Sequence, residues 1–202
     1  MSVTVSVFTS LLHATENGEL GAGLAKTSIV ETTISSYDYV GQVKQMTRKT
    51  TDQSLITTET DSATSLRTYD SRGRLLTSNT SITETGLNLN KTYTVATTIN
   101  SYNTLDQVLL MTRITAVAGG VTTTETDTAN RTYDSKGRLL TSATSVNEKS
   151  GTALDKTTTV TTTITSYNTL NQVLQMTRVT VDSAITTTET DTANRTYDSR
   201  GR

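Results

Sequence analysis

RTYDSRGRLLTS occupies residues 67–78, RTYDSKGRLLTS returns at 131–142, and RTYDSRGR stands at 195–202. Read residue by residue, this stretch is a hairpin. Asp70, Asp134 and Asp198 each follow a tyrosine, Tyr69, Tyr133 and Tyr197. An Asp at the first position of a turn bonds forward to backbone N–H groups. The fourth residue after each tyrosine is Gly73, Gly137 or Gly201, and Gly takes φ > 0 without steric cost. Together they describe a type I turn closed by a left-handed residue, a common connection between antiparallel strands. The Leu-Leu beyond the turn opens the outgoing strand. The Tyr ring is expected to pack across the hairpin with its hydroxyl in water.

Weaker copies alternate with these. SYDYVGQVKQMTR, SYNTLDQVLLMTR and SYNTLNQVLQMTR begin at Ser36, Ser101 and Ser166. Their turn residues are Tyr37, Asp38 and Gly41; Tyr102, Asn103 and Asp106; and Tyr167, Asn168 and Asn171. Asn and Asp are the non-glycine residues that most readily take φ > 0. Successive tyrosines lie 32, 33, 31, 34 and 30 residues apart, so two half-units make a unit of 64–65 residues. Gly21, Leu24 and Lys26 recur as Gly86, Leu89 and Lys91 and as Gly151, Leu154 and Lys156, leaving only about the first ten residues outside the pattern. The chain reads as a single repeat array over 1–202, in units of approximately 1–66, 67–130 and 131–194 with the start of a fourth at 195–202.

A second turn class falls between the tyrosines, short at 51–54, 118–120 and 182–184 and longer around Gly21, Gly86 and Gly151. The strands expected are 27–37, 42–50, 55–69, 74–84, 92–102, 107–117, 121–133, 138–147, 156–167, 172–181 and 185–197. The fold class is therefore all-β, an antiparallel meander of long hairpins in a curled or spiralling sheet, with the two turn classes on opposite edges.

Composition agrees. Thr makes up about a quarter of the chain and Pro is absent; β-branched Thr suits a pleated surface and Pro would interrupt the ladder. Only 33% of residues are hydrophobic, against about 45–50% in globular chains, which argues against a large core. A net charge of −1 supplies no basic footprint for nucleic acid and sets the chain apart from highly charged disordered sequences. With no Cys there is neither a disulfide framework nor a thiolate metal site. No apolar run approaches the ~20 residues of a membrane helix, and residues 1–10 lack the features of a signal peptide. An outer-membrane barrel requires aromatic girdles, whereas aromatics are 4% of this chain. A parallel solenoid conflicts with the hairpin turns.

The motif resembles the YD repeat of RHS-type proteins, Tyr-Asp-x-x-Gly-Arg-Leu with an Arg two residues before the Tyr. Arg67, Tyr69, Asp70, Gly73, Arg74 and Leu75 match it, as do Arg131, Tyr133, Asp134, Gly137, Arg138 and Leu139, and Arg195 to Arg202 as far as they run. Of the half-units between them, those beginning at Ser101 and Ser166 depart from the core with Asn for Asp and Asp or Asn for Gly. The resemblance implies a secreted or cell-surface origin and a long β ribbon, which in that family forms a shell around a toxin or serves adhesion and cell contact. The resulting expectation is a non-enzymatic structural or adhesive segment without cofactors. Its expected partners are further repeats or another sheet edge, with a carbohydrate or cell surface as a further candidate. Because the final motif stops before its Leu-Leu, further repeats and edge-to-edge association are expected.

Side chains with chemistry to offer are few. His13, the single His, has no motif partner. Glu59 and Asp61 recur as Glu125/Asp127 and Glu189/Asp191. Residues i and i+2 share a strand face, so each pair suits a weak Ca²⁺ site or, the preferred reading, a solvated face of cross-strand ion pairs. Folding the hairpins sets Arg113 opposite Glu125 and Arg178 within a residue of Glu189. Met46, Met111 and Met176 read as buried gap-fillers. Ranks of Thr at 122, 124 and 126 and at 186, 188 and 190 suggest, as the alternative function, a ligand-binding face for ice or polysaccharide. The Asn-x-Ser/Thr sequons at Asn79, Asn90, Asn130 and Asn194 are expected in so Thr-rich a chain.

Overall fold

A computed structural model describes residues 28–198 in full and 3–7 as backbone; His13, Gly21, Leu24, Lys26 and Gly201 lie outside the described residues. Every regular element among them is a strand: β1 (Val3–Val7), β2 (Ser28–Tyr37), β3 (Val43–Asp52), β4 (Leu55–Asp61), β5 (Thr68–Tyr69), β6 (Leu75–Gly86), β7 (Leu89–Tyr102), β8 (Val108–Val117), β9 (Thr122–Tyr133), β10 (Leu139–Ser150), β11 (Leu154–Tyr167), β12 (Val173–Asp182) and β13 (Ile185–Thr190). The all-β antiparallel meander expected from the turn chemistry is the fold.

The chain forms two compact units, Met1–Ala96 with Ala116–Ala118, and Thr97–Thr115 with Gly119–Arg202. In the first, β1, β2, β3, β4 and β6 are successive antiparallel neighbours, and the short β5 also pairs with β6. In the second, β9 to β13 follow the same order.

Four local features differ from the sequence reading. β1 was not foreseen; it pairs with β2, Val5 opposite Thr32. The connections at Gly86 and Gly151 are not long. Leu87–Asn88 and Gly151–Ala153 are tight turns, and the strands on either side run to Gly86 and from Leu89, and to Ser150 and from Leu154. The expected strand 55–69 breaks after Asp61. From Asp61↔Thr80 to Thr68↔Thr77 one strand advances seven residues and its partner three. The equivalent stretch of β9 and β10, from Asp127↔Thr144 to Thr132↔Thr141, absorbs five against three as bulges. The two additional residues near 62–66 exceed what bulges accommodate, and Ser62 Oγ instead accepts the N–H groups of Thr64 and Ser65 in a local turn.

The expected strand 185–197 stops at Thr190. Residues 186–198 are identical in sequence to 122–134, yet the earlier copy is strand to Tyr133. The difference is a neighbour: β9 lies against β10, whereas β13 is paired on the β12 side. Pairing, not local propensity, extends this sequence as strand.

No hydrophobic residue among those described is buried; the two buried residues are Asp61 and Asp127. Met46, Met111 and Met176, expected as buried gap-fillers, are only half-buried. Among the described residues no second layer covers the strands, so each side chain has only the neighbours on its own face, and cross-strand pairs and ladder bonds carry the stability. Register assigns the faces in the second unit. Asp127, Thr144, Val160 and Thr180 form a row on one; Thr126, Ser145, Thr159, Val181 and Thr186 form a row on the other.

Candidate functional site

Five tyrosine turns fall wholly within the described residues and share one backbone geometry. At the third of them Asn103 N–H donates to Gln107 O, and Asp106 N–H donates to Asn103 O at 3.2 Å. Asn103 Oδ1 accepts the N–H groups of Leu105 and Gln107. The same set recurs at Asp38, Asp70, Asp134 and Asn168. The closing residues Gly41, Gly73, Asp106, Gly137 and Asn171 all have positive φ, between 62° and 88°. This is a type I turn with a G1 bulge. Two of the glycine turns also lie close to a neighbouring turn: a Cβ at Gly137 would lie 3.0 Å from Gln107 Nε2, and one at Gly73 would lie 2.9 Å from Gln42 Nε2, in each case the movable end of a side chain.

The outer oxygen of the Asp is held in a motif-dependent way. In the strong copies Arg74 Nε donates to Asp70 Oδ2 at 2.7 Å and Arg138 Nε to Asp134 Oδ2 at 2.6 Å. In the weaker copies Asn103 Nδ2 donates to Gln107 Oε1 at 2.6 Å and Asn168 Nδ2 to Gln172 Oε1 at 2.5 Å. Asp–Arg and Asn–Gln are thus alternative pairs in four of the five turns, while the first weaker copy combines Asp38 with Gln42. The backbone N–H of Arg74 has the largest effect on the Asp70 carboxyl; burial opposes it, and with the help of the Arg74 guanidinium the carboxyl is held below its ordinary range, as Arg138 does for Asp134. Arg138 also stacks on the Tyr167 ring, 4.4 Å from its centre.

The tyrosine hydroxyls, expected in water, bond to protein. Tyr69 donates to Val43 O, Tyr133 to Val108 O and Tyr167 to Leu139 O, each at 2.5 Å, and Tyr197 donates to Val173 O. Each of these acceptors lies just beyond the preceding tyrosine turn, so these four rings fasten their hairpin ends to the one before. Burial pushes the Tyr167 phenol up. Tyr37, by contrast, is 43% exposed.

The TETD carboxylates divide. Glu59 pairs with Arg48 at 3.8 Å and Glu125 with Arg113 at 3.9 Å, while Arg178 stands directly opposite Glu189. The Asp two residues on is the centre of a buried node. Asp61 Oδ2 accepts the Met46 N–H at 2.9 Å and Arg67 Nε at 2.8 Å, and its Oδ1 accepts Arg67 Nη2 and the Thr80 hydroxyl. Asp127 has the same four partners in Met111, Arg131 (through two nitrogens) and Thr144. Asp191 accepts the Met176 N–H and Arg195 Nε, both at 2.9 Å. With both Asp61 oxygens taken by donors, the pair Glu59/Asp61 is not an open oxygen set for a cation, and no cluster of three acidic or imidazole groups forms among the described residues.

This node was the residue set that sequence reading missed. Its signal was the Arg two positions before each strong-copy Tyr, kept at four residues from the Asp in two copies and at six in the third. Shallow hollows of about 230 and 260 Å³ beside Asp127 and Asp191 are lined by equivalent Met, Arg, Glu and Asp side chains. Cations and carboxylates balance there, so neither hollow has a net charge to recruit an ion.

The longest hydroxyl rank is on β11, where Thr157, Thr159, Thr161, Thr163 and Thr165 are all exposed. The ranks singled out from sequence are less uniform. Thr122, Thr124 and Thr126 face Lys149, Asn147 and Ser145, and Thr186, Thr188 and Thr190 face Val181, Val179 and Thr177.

These features define the class of the protein, an antiparallel β meander of tandem hairpins locked by tyrosine turns and Asp–Arg nodes. Family models, curated proteins and solved structures gave no match to the chain.

Proposed function

We propose that the chain is a non-enzymatic scaffold segment of a secreted or cell-surface protein of the RHS type, its meander part of a curled wall or an adhesive ribbon. The observation that carries this reading is that the same node and the same turn recur with the same partners. Catalysis calls for one asymmetric constellation of groups, and here the repeated polar groups are spent on holding backbone. Antibody against the chain should label intact producing cells or the medium; label appearing only after lysis would overturn the surface assignment.

The exposed Thr rank of β11 favours a second reading, a face that binds ice or a regular polysaccharide. Ice-growth or glycan-array measurements decide between them. The scaffold reading expects no effect; activity that disappears with Thr159→Lys and Thr161→Lys, or with Thr124→Lys and Thr188→Lys, would establish the binding face instead.

A further inference from the structure

We propose that the hollow between the first two tyrosine turns binds a neutral saccharide ring. Three departures from the repeat mark the place. Aligned on their tyrosines, the half-units beginning at Ser101 and Ser166 carry Asn103 and Asn168, Thr104 and Thr169, and Leu109 and Leu174. The half-unit beginning at Ser36 has Asp38, Tyr39 and Lys44 instead. Those three side chains come together with Val40 and Gln42 around a hollow of about 460 Å³, against Tyr69 of the next turn. The volume suits a small-ligand site, which is typically a cleft with a few convergent polar groups. Unlike the turn and the node, this arrangement is not repeated by the other weaker copies, whose sequences lack its Asp, Tyr and Lys.

The polar groups there are not used by the fold. Asp38 Oδ1 accepts the Val40 and Gln42 N–H groups, but its Oδ2 has no partner among the described residues. The equivalent oxygens of Asp70 and Asp134 take Arg74 and Arg138, and the Asn103 and Asn168 amides take Gln107 and Gln172. The Gln42 amide and the Lys44 ammonium also lack a partner among the described residues, although Asp38, Gln42 and Lys44 are all half-buried. Polar groups withdrawn from water are nearly always satisfied by protein, water or ligand. Tyr39 is 98% exposed, a flat apolar surface with a polar tip. Charge narrows the ligand. Asp38 repels an anion and Lys44 a cation, while Asp70 is already paired with Arg74. An apolar ligand would strip water from carboxylate, amide and ammonium and replace none of its bonds. A neutral ring of hydroxyls meets every group: it donates to Asp38 Oδ2 and Gln42 Oε1, accepts from Lys44 Nζ and Gln42 Nε2, and lays its C–H face on Tyr39. A soluble sugar and one residue of a longer glycan share this chemistry. The hollow lies in the first compact unit and the β11 Thr rank in the second, so this site is separate from that face and goes beyond the scaffold reading.

The test uses the full chain and saturation-transfer difference NMR, with the methyl glycosides of glucose, galactose, mannose and N-acetylglucosamine as probes. Ring protons of at least one glycoside should receive saturation. Asp38→Asn combined with Tyr39→Thr and Lys44→Leu should bind that glycoside about tenfold more weakly, the scale of one hydrogen bond to a charged group. These are the repeat's own residues at Asn103, Thr104 and Leu109, so the hairpin accommodates them. Tyr39→Thr alone, at a fully exposed ring, should weaken binding without moving the unfolding midpoint. Tighter binding of an oligosaccharide of the same sugar assigns the site to a glycan chain, and equal binding assigns it to a soluble sugar. No transfer to any of the four probes, equal transfer with the triple variant, or tighter binding of choline or glucuronate than of every neutral glycoside would overturn the proposal. Thr159→Lys with Thr161→Lys should leave glycoside binding unchanged. None of these outcomes bears on cell-surface labelling, so failure of this proposal is distinguishable from failure of the scaffold reading.

Discussion

Arg131 donates from Nε to Asp127 Oδ2 at 3.0 Å across four residues of chain, and Arg67 makes the same bond to Asp61 at 2.8 Å across six. The chain between them changes length and course, and the pair survives. Breaking a buried pair by removing one partner costs about 3–5 kcal/mol. Asp127→Ala should therefore cost about 3 kcal/mol or more in urea unfolding. Asp191→Ala, at the exposed edge, should cost about 1 kcal/mol or less. Equal losses at the two positions would show that the node does not depend on burial.

Gly137 combines φ +80° with a close approach to Gln107. Gly137→Ala should destabilise by about 1–2 kcal/mol from the left-handed backbone alone, and more if Gln107 does not yield. Asp106→Gly, at φ 62° in a weaker turn, should be close to neutral. Thermal melts of both variants check the contrast.

Tyr133→Phe removes the donor to Val108 O and leaves that carbonyl without its partner, at a cost of about 1 kcal/mol. Tyr37→Phe, at a half-exposed ring, should change stability by less than about 0.5 kcal/mol. Indistinguishable unfolding midpoints for the two variants would remove the hydroxyl ladder from the account of stability.

Acid should loosen the strong turns. Asp70 and Asp134 are held below their ordinary range, chiefly by backbone N–H bonds and then by the guanidiniums, and Asp155 is lowered by Asn147 and Lys149. A carboxyl with a depressed folded value contributes stability present above its unfolded value, about 3.9, and lost as pH falls through the folded value. Tm should accordingly hold from pH 7 to about pH 4 and fall below it. In Asp70→Asn with Asp134→Asn the acid fall should be shallower and Tm at pH 7 lower.

The turns were legible because Tyr-Asp-x-x-Gly states its requirement locally: an acceptor after the Tyr and a residue at φ > 0 three positions later. The ion pair of Glu125 with Arg113 was legible because a hairpin's register follows from its loop. Asp61 and Asp127 were present in the same TETD string but were read with their glutamates as one solvated face. Their donors, Met46 N–H and the Thr80 hydroxyl, come from two different strands, and no local pattern joins the three. The fate of 186–198 was not legible from its own letters, since they match 122–134 and only the neighbouring strand differs. The tyrosine hydroxyls were misplaced for a related reason, because their acceptors lie 24–28 residues away.

The scarcity of buried apolar side chains also shapes how stability varies with temperature. Unfolding raises heat capacity through newly wetted apolar surface and lowers it through polar surface, with a usual net of about 12–15 cal/mol/K per residue. A sheet whose most buried groups are Asp61 and Asp127 exposes little of the first kind, so calorimetry should give an increment well under that range. A small increment flattens the curve of free energy against temperature. Such a sheet would keep nearly constant stability from cold to warm surroundings, and its maximum would be broad rather than high.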